Sequence, residues 1–110
     1  MENYTTRPMA EWSFLTNHAR VLVCIAHDPG GRLREIARTL DITERSAYSI
    51  VTDLTAGRYV VKEKDGRRNR YQIQSHRPLR EAAIPERTIG EVLDVLVESK
   101  VRRRPRRAAP

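Results

Sequence analysis

The chain has 110 residues, 39% hydrophobic, 32% charged and only 5% aromatic, with one cysteine. That composition fits one domain with a modest core of Leu, Ile, Val and Ala; it excludes an intrachain disulfide, and no apolar run approaches a membrane span. The formal charge is +7, but Lys100, Arg102, Arg103, Arg104, Arg106 and Arg107 supply six positives without an acid, leaving 15 bases against 14 acids in residues 1–99. Basicity is therefore a property of the tail, and elsewhere the placement of each charge matters more than the total.

Residues 1–11 show no period and read as a flexible N-terminus. They lack the cationic start and apolar core of a signal peptide, and the lone cysteine suits a reducing compartment, so the expected location is cytoplasmic. "WSFLTNHARVLVCIAHDPGG" reads as a helix. Thr16 is its candidate N-cap and Asp28-Pro29-Gly30-Gly31 its stop. Leu15, Ala19, Leu22, Ile25 and Ala26 make one apolar face, which Val21 and Val23 widen. "LREIARTL" is a short second helix with Ile36, Ala37 and Leu40 inward, and with Arg34 at its start in place of the usual Ser or Thr. "TERSAYSIVTDLTAG" is a third helix. Thr43 caps it, Ala47, Ile50, Val51 and Leu54 share one side, and Gly57 ends it at a left-handed position.

After Gly57 the period falls to about 2. "YVVKEK" and "NRYQI" read as strands joined by Asp65-Gly66, a hairpin signal. Tyr71 and Ile73 point inward on the returning strand. Residues 74–85 connect to a last helix expected over 85–101, starting at Pro85, with Ile89, Val92, Leu93, Leu96 and Val97 along one stripe. Gly90 weakens that helix slightly. Residues 102–110 form a basic tail expected to be disordered.

The organising pattern is "LREIARTLDITERSAYSIV". Ala37 offers a small residue where two helices cross closely. Asp41 takes the turn four positions later, Ile42 follows as a buried turn residue, and Ala47 and Ile50 lie ten and thirteen positions after Ala37. This is helix-turn-helix spacing. The turn residue is usually Gly, and Asp tolerates the left-handed conformation better than most.

Three helices followed by a hairpin make a winged helix. "LREIARTLDITERSAYSIVTDLTAGRYVVKEKDGRRNRYQI" resembles winged helix-turn-helix transcriptional regulators of the MarR/ArsR-like, small bacterial type, over residues 12–73. The implied fold class is mainly α with a small antiparallel β-hairpin and a C-terminal dimerisation helix. The implied units are a winged-helix DNA-binding domain at 12–84 and the dimerisation helix at 85–101. The resemblance implies a homodimer on double-stranded DNA, located with the nucleoid. The recognition helix, about 43–56, would lie in the major groove and the wing, about 62–71, on the backbone or minor groove.

The residues themselves agree with this reading. Thr43, Glu44, Arg45, Tyr48, Ser49 and Thr52 fall off the apolar face of the third helix and are suited to base edges and phosphates. Arg45 is the candidate for a bidentate contact to guanine. The backbone N–H groups at Thr43, Glu44 and Ser46 are placed to hold a phosphate. On the hairpin, Lys64, Arg67, Arg68, Asn69 and Arg70 are the candidate contacts. Arg70 has a second reading, pairing with Glu63 across the strands. The stripe Ile89, Val92, Leu93, Leu96 and Val97 is the candidate dimer face, although the helix has the alternative of folding back on its own domain. The different class of function that fits the same fold is a winged helix used for protein–protein contact.

Other chemistry has little support. His18, His27 and His76 make no close metal pair, and His18 and Cys24 point roughly 120° apart on their helix. Cys24 reads as packing. No Gly-rich phosphate loop, nucleophile elbow or paired-carboxylate setting is present, so neither catalysis nor a cofactor is expected. Nor is a membrane partner expected, and the sequence leaves a small-molecule effector open.

Overall fold

In the computed structural model, which describes residues 12–97, the first helix starts where a side chain closes its end. Thr16 is extended, and its Oγ accepts the Ala19 N–H at 3.1 Å. Helix α1 therefore runs Asn17–His27, and residues 12–15 precede it rather than joining it. Val21, Leu22 and Ile25 are buried, whereas Leu15, Ala19 and Ala26 are only half-buried. Val21, expected at the flank, is the centre of the buried face at 0% exposure. Both following helices pack on α1, which turns its covered arc toward Val21.

Helix α2 spans Leu33–Leu40 and buries Ile36, Ala37 and Leu40. Its N-cap position is Arg32, so Arg34 lies inside the first turn, contrary to the sequence expectation. Glu35 closes this end by accepting the Arg32 N–H at 3.3 Å. Asp41 then takes the left-handed conformation, φ 59° and ψ 48°. The Asp41 N–H reaches the Arg38 carbonyl at 3.3 Å and the Ile42 N–H reaches that of Ala37 at 3.0 Å. These bonds satisfy carbonyls that the helix end would leave open. Ile42 is half-buried against the core rather than fully buried.

Helix α3, Glu44–Ala56, starts at Thr43, whose Oγ accepts the Ser46 N–H at 2.9 Å. Ala47, Ile50, Val51 and Leu54 are buried, as their spacing predicts. Ala37 and Ala47, at 3% and 0% exposure, let α2 and α3 approach closely. The end of α3 differs from expectation. Gly57 is right-handed, φ −82°, and the left-handed residue is Arg58, φ 66°. The Arg58 N–H bonds to the Thr55 carbonyl at 3.0 Å and the Tyr59 N–H to the Leu54 carbonyl at 2.9 Å, so the closing bonds fall one residue later than Gly57 suggested.

Strands β1, Val60–Asp65, and β2, Arg68–Ile73, pair antiparallel. Asp65 pairs with Arg68, so the turn is Gly66-Arg67 and not Asp65-Gly66. Gly66 has φ 70°, which a two-residue hairpin of this hand requires of its first residue. Val60 and Tyr71 are buried, Ile73 is half-buried, and residues 61–70 are exposed throughout. The Tyr71 N–H donates to the Pro29 carbonyl at 3.0 Å, which ties β2 to the loop after α1.

Helix α4 is Ile89–Leu96 and does not start at Pro85. Thr88 accepts the Glu91 N–H at 3.2 Å, and Glu91 accepts the Thr88 N–H at 3.0 Å. That backbone bond, with Arg87 beside it at 3.1 Å, holds the Glu91 carboxyl below the usual glutamate range. Upstream, Pro78 and Thr88 form an antiparallel bridge, and the Ile89 N–H bonds to the Arg77 carbonyl at 3.0 Å. The chain around Pro85 is therefore held in the loop that this bridge closes. A Cβ on Gly90 would lie 2.7 Å from the Cβ of Ser75, so the glycine permits close contact as well as weakening the helix.

The core joins residues from all six elements: Val21, Leu22 and Ile25; Ile36 and Leu40; Ile50, Val51 and Leu54; Val60; Tyr71; and Leu93. Each fully buried side chain of this kind contributes about 1.5–3 kcal/mol relative to exposure. Ile89 and Leu93 are buried within the chain, and Val97 packs at the core's edge, so α4 folds back on its own domain. Val92 is half-buried, Leu96 is 37% exposed and Val95 is 78% exposed. No helix among the described residues is long and apolar enough to cross a membrane. The expectations for residues 1–11, for 98–101 and for the tail 102–110 lie outside the described residues.

Candidate nucleic-acid interface

Four buried residues fix the roll of α3, and that roll decides what the helix shows outward. Thr43, Glu44, Arg45, Ser46, Tyr48, Ser49 and Thr52 are all exposed, with Tyr48 at 63%. The structure thus brings all six candidate residues of this helix onto its uncovered surface.

Their hydrogen bonds sort them further. Thr43 is engaged as the cap and also donates to the Ser46 Oγ at 3.0 Å. The Ser46 N–H is taken by that cap, so of the phosphate-holding groups expected at this end Ser46 is not free. Thr52 donates its hydroxyl to the Tyr48 carbonyl at 2.9 Å, which leaves it able only to accept. Asp53, at the side of the helix, sits 2.8 Å from His18 Nε2 of α1. Arg45 is among the exposed side chains here and makes no ion pair among the described residues.

The frame behind α3 is braced. Arg20 donates to the Leu40 carbonyl at 3.2 Å and to Asn17 Oδ1 at 2.7 Å, linking α1 to the end of α2. Cys24 is half-buried against the core, and burial raises its thiol pKa, countered in part by Arg20. The thiol therefore holds less thiolate at neutral pH than an ordinary cysteine.

On the wing, strand register distributes the charges. Opposed residues project to the same face. Lys62 opposes Tyr71 and Lys64 opposes Asn69, so one face carries two lysines and no acid. Glu63 opposes Arg70 and Asp65 opposes Arg68, so the other face alternates in sign. Arg67 stands in the turn itself, opposed by nothing.

The basic wing residues are therefore not equivalent. Arg68 donates to the Gly30 carbonyl at 2.6 Å, which fastens the tip to the loop before α2. Arg70 lies over Gly30, within 3.4 Å of the position a Cβ would take there, and makes no ion pair with Glu63 among the described residues. Lys62 and Arg32 were not among the sequence candidates. Lys62 was legible from the alternation that pairs it with Lys64. Arg32 was not, because it meets Arg67 and Arg68 only around a groove of about 440 Å³ between the wing tip and the start of α2.

Residues 15–64 match the family model described as the IclR helix-turn-helix domain. The matched stretch takes in α1, α2, α3 and most of β1, the elements that carry the helix-turn-helix and begin the wing. No curated protein and no solved structure matches the chain. The likeness found is thus to the IclR type, and the narrower MarR/ArsR-like resemblance has no match behind it. What fold and family model support together is a winged helix-turn-helix of the kind used in DNA-binding transcription regulators.

Proposed function

We propose that this protein is a sequence-specific, double-stranded DNA-binding transcription regulator acting on the nucleoid. In this reading α3 enters the major groove and the wing lies on the backbone or minor groove. The observation that carries it is the outward face of α3. Thr43, Glu44, Arg45, Tyr48, Ser49 and Thr52 are uncovered on a helix whose opposite side is locked into the core of a helix-turn-helix. Arg45 reads a base edge, and Arg67 with Lys64 and Asn69 meets the backbone. Arg68 and Arg70 have secondary roles because each faces an acid across the strands.

The test compares two substitutions on one duplex and on scrambled duplexes. Arg45→Ala is expected to lose about 1–3 kcal/mol of preference for the chosen site. Arg67→Ala is expected to weaken binding to every duplex alike and to lower the salt slope by about one. Two binding isotherms unchanged at moderate salt would favour the protein–protein reading instead.

The same proposal makes the protein a homodimer through the uncovered part of α4. Ile89 and Leu93 serve the chain's own core, so the contact would rest on Val92, Leu96 and the highly exposed Val95, with Val97 at its border. Two copies related by a two-fold axis suit half-sites about one helical turn apart. Val95→Glu, at the most exposed position of this face, is expected to shift sedimentation toward monomer. A sedimentation profile identical to the parent would remove α4 from the interface.

A further inference from the structure

At the C-terminal end of α3, a cleft of about 580 Å³ opens where that helix end, the start of β1 and the segment after β2 meet. Arg58, Lys62, His76 and Arg77 line it together with Thr55 and Gln74, and no carboxylate does. The two neutral polar groups are already engaged: the Thr55 hydroxyl donates to the Val51 carbonyl at 2.8 Å and the Gln74 amide to the Gln72 carbonyl at 3.3 Å. The domain body is nearly neutral, so three cations around one cleft without an acid is a local arrangement.

Two independent observations mark the cleft as more than a basic surface. The Nε of Arg77 is buried and has no hydrogen-bond partner among the described residues. Buried donors almost always have one. Arg58 occupies the left-handed position that closes α3, with φ 66°, where glycine is the favoured residue and arginine is strained. Glycine is available one position earlier, at Gly57, and is not used there in that conformation. Strain retained at a helix end points from the outlier toward a role for the side chain it carries.

We propose that this cleft is a binding site for a small phosphate-bearing molecule, with Arg58 and Arg77 as its principal ligands and Lys62 at the rim. Arg77 and Arg58 each supply a guanidinium at the cleft, and guanidinium groups suit phosphate by both charge and geometry. The volume fits a small metabolite carrying one or two phosphates. A free anion is favoured over a duplex phosphate because these cations surround a cleft, whereas a duplex meets outstanding cations such as Arg67.

The experiment uses the full chain, nitrogen-labelled, with inorganic phosphate or pyrophosphate added at constant ionic strength and, separately, a DNA duplex. The Nε–H signals of Arg58 and Arg77 are expected to move and saturate with either phosphate, while those of Arg67 and Arg68 stay in place. Arg58→Gly is the decisive variant, since glycine relieves the left-handed strain. It is expected to raise Tm by a few degrees and weaken pyrophosphate binding at least fivefold, so the loss cannot come from unfolding. Undiminished affinity in Arg58→Gly would overturn the site. So would shifts spread evenly over the wing arginines, or an Arg77 signal that follows the duplex and ignores both phosphates.

Discussion

Helix α3 and the wing are neighbours in sequence and are both exposed to solvent, yet they are held in opposite ways. Four buried side chains and a closed cap leave α3 one orientation. The wing is fixed at its base by Val60 and Tyr71, and over residues 61–70 it relies on strand pairing and on one bond from Arg68 to the Gly30 carbonyl. An element that reads base edges must hold its side chains in register, which a core-locked helix does. An element that meets phosphates tolerates more play, because a backbone charge has no sequence to misread. The difference in anchoring thus matches the proposed division of labour.

The comparison can be broken from either side. The largest effect is expected in the anchor of α3. Ile50→Ala should lower stability by about 2–5 kcal/mol through lost burial and a residual cavity, measured by denaturant unfolding. The matching truncation on the exposed wing, Lys64→Ala, should stay within about 0.5 kcal/mol. Near-equal losses would mean that the wing is as firmly integrated as the helix. A smaller effect is expected at the turn. Gly66→Ala forces a side chain to φ 70° and should cost about 1 kcal/mol. Its consequence should be confined to the hairpin, seen as faster amide exchange over residues 61–70 with α3 unchanged. Exchange that rises equally in α3 would show that the two regions open together.

Much of the fold was legible because it rests on local chemistry. Thr16 and Thr43 announced their helices as caps, and Asp41 was recognised as the left-handed turn although glycine is usual there. The apolar spacing of α2 and α3 gave their buried faces correctly. The misplacements share one cause. Gly57 and Pro85 were read by residue preference, but in the structure Arg58 takes the left-handed position and Thr88 starts α4. At the first, the bond from Tyr59 to Leu54 fixes where the helix closes; at the second, the bridge between Pro78 and Thr88 holds the chain in a loop past Pro85. Both depend on what the following chain packs against, which preference at a single position does not encode.

By itself the sequence determined the element order, the helix-turn-helix spacing and which residues of α3 face outward, because helical and strand periods convert spacing directly into faces. Tertiary structure alone decided the rest. It put Ile89 and Leu93 into the chain's own core, so that only part of the last helix's stripe stays open. It set Arg68 against Gly30 and left Arg67 opposed by nothing. It also gathered Arg58, Lys62 and Arg77 around one cleft from three separate segments. Charge acts through distance, and the distances between remote segments exist only once the core has closed.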